Sequence, residues 1–224
     1  YGRQGNYEMK TSQKVAERLG YKWIYIPDNY KLKRKFFLSK TYKDYVNEFE
    51  SYSSVPNTQE IYEFYELSML NVMDKDAVVI NGNTGDFISG GHIPFGETEC
   101  KNKSFLDEFD WSAFLEKHYS VWTGLRNYVN DKIIVSELSK IAKLRCKLNN
   151  EKAMHDYAVM ECIELIGRQS RFVMNQQRAY EFIGHEWRSP LWDNEFLDFW
   201  ENVPPEYKVG QRLYKDTLYK NNWG

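Results

Sequence analysis

The sequence has few of the features that mark membrane, disulfide-rich or metal-binding proteins. No run among its 224 residues approaches the roughly 18 apolar residues of a membrane helix, so we expect no membrane partner. Its cysteines, Cys100, Cys146 and Cys162, are widely spaced and form no C-x-x-C pair. This argues against a disulfide framework or a zinc site and favours free thiols in a reducing, cytoplasmic compartment. The four histidines form no H-x-x-x-H pair.

Neither positive nor negative charge is in large excess. The sequence has 30 Lys+Arg and 32 Asp+Glu, a net charge of −2, which gives no support for a nucleic-acid partner. A basic cluster at residues 31–35 is the local exception, and a solvated helix face explains it. The content of 42% hydrophobic and 28% charged residues is typical of a folded protein. The aromatic content of 17% is unusually high, and we expect most of these side chains to fill the core and interfaces.

The first half of the chain alternates between helix and strand patterns. Apolar spacing predicts a helix over residues 6–19 that ends at Gly20. Aromatic and β-branched residues predict a strand over residues 21–26. A basic helix is expected over residues 31–50, and Asn57 begins a capping segment before a helix that runs to about residue 73.

The most informative segment is the apolar run Ala77–Ile80. Its continuity predicts a parallel strand that is buried on both faces. It leads directly into a glycine-rich loop that ends in Ser89-Gly90-Gly91-His92. Because sites in α/β proteins lie beyond the carboxyl ends of parallel strands, this loop is a candidate site.

The second half is predicted to be helical. One helix is expected between Trp111 and Leu125, a second over residues 133–144 and a long one over residues 151–178. We therefore predict an α/β region, residues 1–100, followed by an all-helical region, residues 101–224, of the same domain. Two strands make a sheet of marginal stability, so further strands are expected N-terminal of a start that looks like the inside of a longer protein.

Each of three motifs has a functional and a structural interpretation. In the loop of residues 81–92, glycines permit close approach of phosphates and Asp86 offers an oxygen ligand to Mg²⁺; alternatively, Asp86 caps a helix after a turn. In residues 186–193, Pro190 is expected to end a helix, Asp193 to cap the next one, and Glu186 and Arg188 to form a buried ion pair. Lys215 places a charge on a phosphate or is simply solvated.

Together and in this order, the motifs resemble the C-terminal synthetase domain of the asparagine synthase family. The family pattern G-x-G-x-D-E-x-x-G-G-Y has the length of Gly82–His92, which keeps the Asp and the Gly-Gly. The later pattern of D-R-x-S followed by E-x-R-x-P-F-L-D resembles residues 167–170 and 186–193. A closing lysine corresponds to Lys215, so the resemblance covers nearly the whole chain.

The resemblance implies ATP-dependent amide synthesis on an adenine-nucleotide-hydrolase-like parallel-sheet (PP-loop ATPase) core. A small carboxylate substrate would become an acyl-adenylate, which ammonia from a glutaminase domain or subunit would attack. The implied cofactors are ATP and Mg²⁺. The implied site residues are Asp86 as a Mg²⁺ ligand, Gly82 and Gly85 as nucleotide contacts, Tyr1 beside adenine, and Lys215 and Asn83 at the reacting centre.

The sequence departs from the family pattern at several places. The pyrophosphate loop S-G-G-x-D-S and an N-terminal nucleophilic Cys are not in these residues; we expect both upstream of Tyr1 and expect residues 1–224 alone to be inactive. Asn83 stands where some members have an acidic residue or Tyr, and Phe87 stands where the family has Glu. The product therefore need not be asparagine, and relatives in surface-polysaccharide biosynthesis suggest a sugar or sugar acid as acceptor.

Two other functions compete with this hypothesis. A non-catalytic binding or assembly module is favoured by the substitutions at Asn83 and Phe87. An RNA-modifying ATP pyrophosphatase is disfavoured by the net charge of −2. The acceptor substrate, the ammonia source and whether the protein is a homo-oligomer stay open.

Overall fold

Within the residues that the structure describes, the chain forms helices and four short strands, a mixed α/β architecture. The computed structural model describes residues 1–49, 54–94, 96, 99–148 and 150–222. The strands are β1 Val78–Ile80, β2 Lys103–Ser104, β3 Met154–His155 and β4 Glu186–Arg188. The α-helices are α1 Tyr7–Leu19, α2 Tyr30–Phe37, α3 Lys40–Glu48, α4 Ile61–Met69, α5 Gly85–Ile88, α6 Ser112–Tyr119, α7 Tyr128–Arg145, α8 Asp156–Glu164, α9 Arg178–Ile183, α10 Asn194–Glu201, α11 Pro205–Lys208 and α12 Arg212–Lys220.

The chain packs as two compact units. The first comprises Tyr1–Asn81 and Asn175–Arg188, and the second comprises Gly82–Met174 and Ser189–Gly224. The α/β class is confirmed, whereas the PP-loop core and the division of the chain at residue 100 stay predictions.

The parallel sheet belongs to the first unit. Strand β1 pairs with β4 in parallel, with Val79 opposite Trp187. The predicted parallel strand is therefore confirmed, but its burial on both faces is wrong, because Val78 is 43% and Ile80 is 67% exposed. In the described part of the chain this sheet has two strands, so β1 has one neighbour and its outward side chains are not covered.

Two other strand predictions need correction. Residues 21–26 are not a strand; an isolated bridge to Gly2 occurs only at the following residue, Pro27. Residues 101–224 are not all helical, because β4 lies there and β2 pairs with β3 in antiparallel orientation. These strands are two or three residues long, too short for sequence periodicity to reveal them.

Capping residues explain where the helices of the first unit begin and end. Asn6 accepts a hydrogen bond from the Met9 amide at 2.8 Å, and Gly20 ends α1 in the left-handed conformation, as predicted. The single basic helix expected over residues 31–50 is wrong, because Ser39 caps a separate helix, α3. Asn57 accepts from two backbone amides before α4, which ends at Met69 rather than near residue 73.

An aromatic core holds these helices together. Its buried members come from α2, α3 and the segment after it, α4 and α9, so the aromatic content of this unit is structural. They are Phe36, Tyr45, Phe49, Ile61, Tyr62 and Ala179.

The second unit is built on α7 and α8. Asn127 caps α7 by accepting from two backbone amides, and Leu138 and Ala142 of that helix pack against Val159 and Ile163 of α8. The helix predicted over residues 133–144 is confirmed within α7. The helix expected between Trp111 and Leu125 is shorter, since α6 ends at Tyr119.

The long helix predicted over residues 151–178 is interrupted. This range instead contains strand β3 and helix α8. They are followed by a π-helical segment, Leu165–Val173, and a 3₁₀ turn, Asn175–Gln177, before α9 begins. π-Helical geometry is rare and is often found at functional sites. The spacing of apolar residues did not predict this interruption.

The cysteine prediction is wrong for two of the three residues. Cys146, which follows α7, forms a disulfide with Cys162 of α8 across a Cα–Cα distance of 6.2 Å, whereas Cys100 is buried. The packing of α7 against α8 brings the two thiols together. Their wide spacing in the sequence carries no signal of this contact.

Loss of the Cys146–Cys162 link should lower the free energy of unfolding. The link spans 16 residues, and closure of a loop of that size is worth about 3 kcal/mol, chiefly by restricting the unfolded chain. We expect Cys146→Ser to show this loss in urea unfolding under oxidising conditions. Dithiothreitol should destabilise the wild type and leave the variant unchanged; an equal response of both proteins would contradict the prediction.

No helix in the described ranges is long and apolar enough to cross a membrane.

Candidate functional site

The glycine-rich loop begins where β1 ends. The Asn81 amide donates to the Arg188 carbonyl at 2.9 Å, which continues the parallel ladder by one residue. Thr84 then adopts a left-handed conformation with φ 72°, and α5 starts at Gly85. Asp86 lies in the first turn of α5, and its side chain is 64% exposed. Along the chain the loop thus follows β1, and Asp86 itself belongs to the second unit.

Close contacts explain three glycines of this loop. A Cβ on Gly85 would lie 2.6 Å from Leu191 Cδ1, one on Gly90 would lie 2.3 Å from the Lys208 carbonyl oxygen, and one on Gly91 would lie 2.8 Å from the Asp86 carbonyl oxygen. The contacts made by Gly85 and Gly90 join the loop to the motif of residues 186–193 and to the end of α11. Segments far apart in the sequence therefore converge around α5 within the second unit.

His92 holds the Asp86 carboxylate in place. Its Nε2 lies 2.9 Å from Asp86 Oδ2, while Asp86 Oδ1 accepts from the Phe87 amide at 2.9 Å. The other ring nitrogen of His92, Nδ1, contacts the Glu164 carboxylate. The hydrogen bond to Asp86, followed by that to Glu164, raises the pKa of His92. The same bond lowers the pKa of Asp86, so both groups are favoured in their charged forms.

Glu164 is the centre of a buried charge cluster. Its side chain is 3% exposed, and Lys117 Nζ lies 2.7 Å from Oε2. His118 Nε2 lies 3.4 Å from Oε2, and Gln169 Nε2 and Arg168 Nη1 lie 3.3 and 3.7 Å from Oε1. Burial by itself would raise the pKa of Glu164, but the contacts with His118, His92 and Lys117 together hold it well below its usual range.

The π-helical segment positions two members of this cluster. Arg168 and Gln169 belong to the Gly167–Ser170 motif, and both side chains face Glu164, which precedes this segment. The motif therefore has a place in the structure, beside the carboxylate that supports His92.

The predicted lysine, Lys215, lies in the first turn of α12. Its Nζ donates to the Gly210 carbonyl at 2.8 Å, and the side chain is exposed. The segment before α12 is anchored to the loop, because Gln211 Nε2 donates to Ser89 Oγ at 2.7 Å. The nearby Lys208 is 4% exposed and pairs with Glu161 at 2.9 Å.

The structure shows where the remaining predicted site residues lie, but it does not test their roles. Gly82 and Asn83 lie in the loop with Gly85 and Asp86. Tyr1 belongs to the first unit, where its hydroxyl donates to Glu60 Oε1 at 3.4 Å and burial, together with Glu60 and Glu63, raises its pKa to about 12. Its contact with adenine and the roles of Asn83 and Lys215 stay predictions.

The structure tests three predictions for the second motif, residues 186–193. Glu186 and Arg188 do pair at 2.8 Å, but their side chains are 71% and 60% exposed, so the ion pair is not buried. Pro190 does not end a helix; it begins a 3₁₀ turn directly after β4. Asp193 caps α10 by accepting from the Glu195 amide, as predicted.

Asp86 is suited to a magnesium ion shared with phosphates. No group of three or more His, Cys, Asp or Glu side chains that could hold a metal occurs in the described ranges. Mg²⁺ commonly uses only one or two carboxylates, together with substrate phosphates and water. One exposed carboxylate with a fixed orientation fits that mode, whereas a site built from protein ligands alone does not.

Sequence reasoning missed the cluster that supports Asp86. His92 had a signal, because it stands at the Tyr position of the loop pattern. Glu164 had none, since it lies 72 residues from His92 and outside each motif. Lys117 and His118 likewise come from α6, which the sequence showed only as a core helix.

The comparisons with known proteins agree with these motifs. The family model described as asparagine synthase matches residues 1–220. Comparison with curated proteins and with solved structures gave no match. The match covers far more than half of the chain, and the chain therefore belongs to the asparagine synthase family.

Proposed function

We propose that this protein is an ATP-dependent, amide-forming synthetase that activates a carboxylate by adenylation. The observation that carries the proposal is the family match over residues 1–220. The exposed Asp86 carboxylate of the glycine-rich loop supports it, because charge on a nucleotide's phosphates needs a metal ion nearby and a carboxylate can hold one.

The reaction has two steps. A carboxylate oxygen of the substrate attacks the α-phosphorus of ATP, the bond from that phosphorus to the bridging oxygen breaks, and pyrophosphate leaves. Ammonia then forms a C–N bond with the acyl carbon, the bond from carbon to the adenylate oxygen breaks, AMP leaves and the nitrogen gives up a proton to water. The proposed ammonia source is a glutaminase domain or subunit. The cytoplasmic location and the identity of the acceptor stay predictions.

The proposed site residues of the second unit have separate roles. Asp86 would hold Mg²⁺, which when bound neutralises phosphate charge. Gly82 and Gly85 let the nucleotide approach the backbone, and Lys215 supplies a positive charge from the start of α12. The anchor between Gln211 and Ser89 keeps that helix next to the loop.

Replacement of Asp86 tests the proposal. We expect Asp86→Asn to weaken MgATP binding at least about tenfold by calorimetric titration, because the amide loses the charge that attracts Mg²⁺. Pyrophosphate release on addition of candidate carboxylates, measured with the expected upstream pyrophosphate loop present, should fall in parallel. Asp198→Asn, an exposed change on α10 in the same unit, is the matched control and should bind normally. Equal affinity of Asp86→Asn and wild type would refute the proposed site.

A non-catalytic binding or assembly module is the second candidate. Phe87 occupies the family's Glu position, is 5% exposed and packs with Ile88, Trp200 and Val203. A buried phenyl ring cannot supply the carboxylate that the family has there. Binding of MgATP without pyrophosphate release, over a panel of carboxylates, with ammonia and the expected upstream pyrophosphate loop present, would favour this module over the synthetase.

A further inference from the structure

The ring of His92 lies between two carboxylates that come from distant parts of the second unit. Its Nε2 faces Asp86 Oδ2 at 2.9 Å and its Nδ1 faces the Glu164 carboxylate. We propose that His92 is a positioning residue that fixes the direction of the Asp86 carboxylate toward a bound metal ion, with Glu164 as its anchor. This inference rests on the proposed function, because it takes Asp86 as the metal ligand.

The geometry assigns an N–H to each ring nitrogen. A carboxylate is an acceptor only, so a ring with a carboxylate at both nitrogens makes two hydrogen bonds only when both nitrogens donate. The imidazolium then holds one oxygen of Asp86, and the Phe87 amide holds the other. The carboxylate cannot rotate without breaking one of these bonds, while lone pairs on both oxygens stay open to a metal ion.

Lys117 links the anchor, Glu164, to the backbone of His92. Lys117 Nζ donates to Glu164 Oε2 at 2.7 Å and also to the His92 carbonyl oxygen at 2.7 Å. One lysine therefore ties the backbone of His92 to the carboxylate that its ring contacts. The ring also packs edge-on against Phe87, with 5.8 Å between centroids, and is 14% exposed. Few other orientations are open to it.

The hydrogen bond from His92 to Asp86 is of the kind that metal-ligating side chains receive from neighbouring groups. Groups that hydrogen-bond to a ligating carboxylate set its orientation, and their loss commonly lowers metal affinity about 10- to 100-fold. His92 stands where the family pattern has Tyr, a residue that could make one such hydrogen bond but could not bridge two carboxylates. The bridge to Glu164 is therefore a feature of this chain's own residues.

Two substitutions separate positioning from mere structural support. The amide nitrogen of Asn lies near the place of Nδ1, so His92→Asn keeps a donor toward Glu164 and removes the one toward Asp86. The longer side chain of His92→Gln reaches the place of Nε2 and keeps the donor toward Asp86. A purely structural role predicts that the variants differ in stability alone, measured as thermal unfolding midpoints.

The test is the affinity of Mn²⁺–ATP for the full chain, measured by electron paramagnetic resonance, since Mn²⁺ accepts the same oxygen ligands as Mg²⁺. We expect His92→Asn to lose about 10- to 100-fold in affinity and His92→Gln to lose less than about threefold. The signal of bound Mn²⁺ should also broaden in His92→Asn, because its carboxylate ligand is no longer held.

Three results would overturn the inference. Equal losses in both variants would show a structural role, and unchanged affinity in both would show no role, provided that Asp86→Asn still weakens binding. Unchanged affinity in Asp86→Asn would instead refute the proposed metal site, and the inference would fail with it. Asp86→Asn thus distinguishes failure of the inference from failure of the proposed function.

Discussion

Gly90→Ala should destabilise the protein by about 2–5 kcal/mol, the sum of left-handed backbone strain and overpacking. Gly90 has φ +92°, a conformation that alanine rarely adopts, and a Cβ there would lie 2.3 Å from the Lys208 carbonyl oxygen and 2.6 Å from its carbon. These are backbone atoms, so the clash cannot be relieved by a change of rotamer. Relief requires that α5 and α11 move apart, which would also disturb the pair formed by Lys208 and Glu161.

Urea unfolding followed by circular dichroism measures this loss. Gly124→Ala is the matched control, because Gly124 belongs to the same unit, has an ordinary backbone conformation and would have no neighbouring atom within 4 Å of an added methyl group. We expect the control to stay within about 1 kcal/mol of the wild type. If both alanine variants unfold at the same urea concentration, the close approach of Gly90 to Lys208 is wrong.

Glu164→Gln should also lower the free energy of unfolding by about 3–5 kcal/mol, the usual effect of removing one member of a buried charge pair. The Glu164 side chain is 3% exposed and balances Lys117, which lies 2.7 Å away, and His92. The amide keeps the size of the side chain but removes the buried negative charge that Lys117 and the Nδ1 side of His92 face. We expect a lower urea midpoint, because the negative charge that balances Lys117 and His92 is lost.

The acid dependence gives a second readout for Glu164. Its pKa in the folded protein is depressed, so the stabilisation it provides is complete above its unfolded pKa of about 4.3 and is lost as the pH falls through the folded value. The wild type should therefore lose more stability below about pH 4 than Glu164→Gln does. The control is Glu137→Gln, since Glu137 forms an exposed pair with Lys140; its loss should stay below about 1 kcal/mol. Parallel acid curves for wild type and Glu164→Gln would contradict the prediction.

Local signals in the sequence predicted the features that depend on neighbouring residues. Gly20 ends α1 and Asp193 caps α10 because their backbone and side-chain geometry act within one turn. The apolar run before the glycine loop identified β1, and the loop itself identified Asp86. Features with a long-range partner were wrong or missed: residues 21–26 lack a neighbouring strand in the described part of the chain, and β4 is too short to recognise without β1 beside it.

The sequence by itself determined the family, the order of its motifs and the position of the Asp86 loop at the end of a strand, because each is encoded in residues close along the chain. Only the tertiary structure decided what surrounds that loop. It joined Cys146 to Cys162, buried Phe87 beside Trp200 and brought Glu164 to His92. These contacts arise from packing between helices that are distant in sequence, and residue spacing carries no record of which buried side chains will meet. The scarcity of cysteine and histidine patterns therefore excluded local motifs but not pairs assembled by the fold.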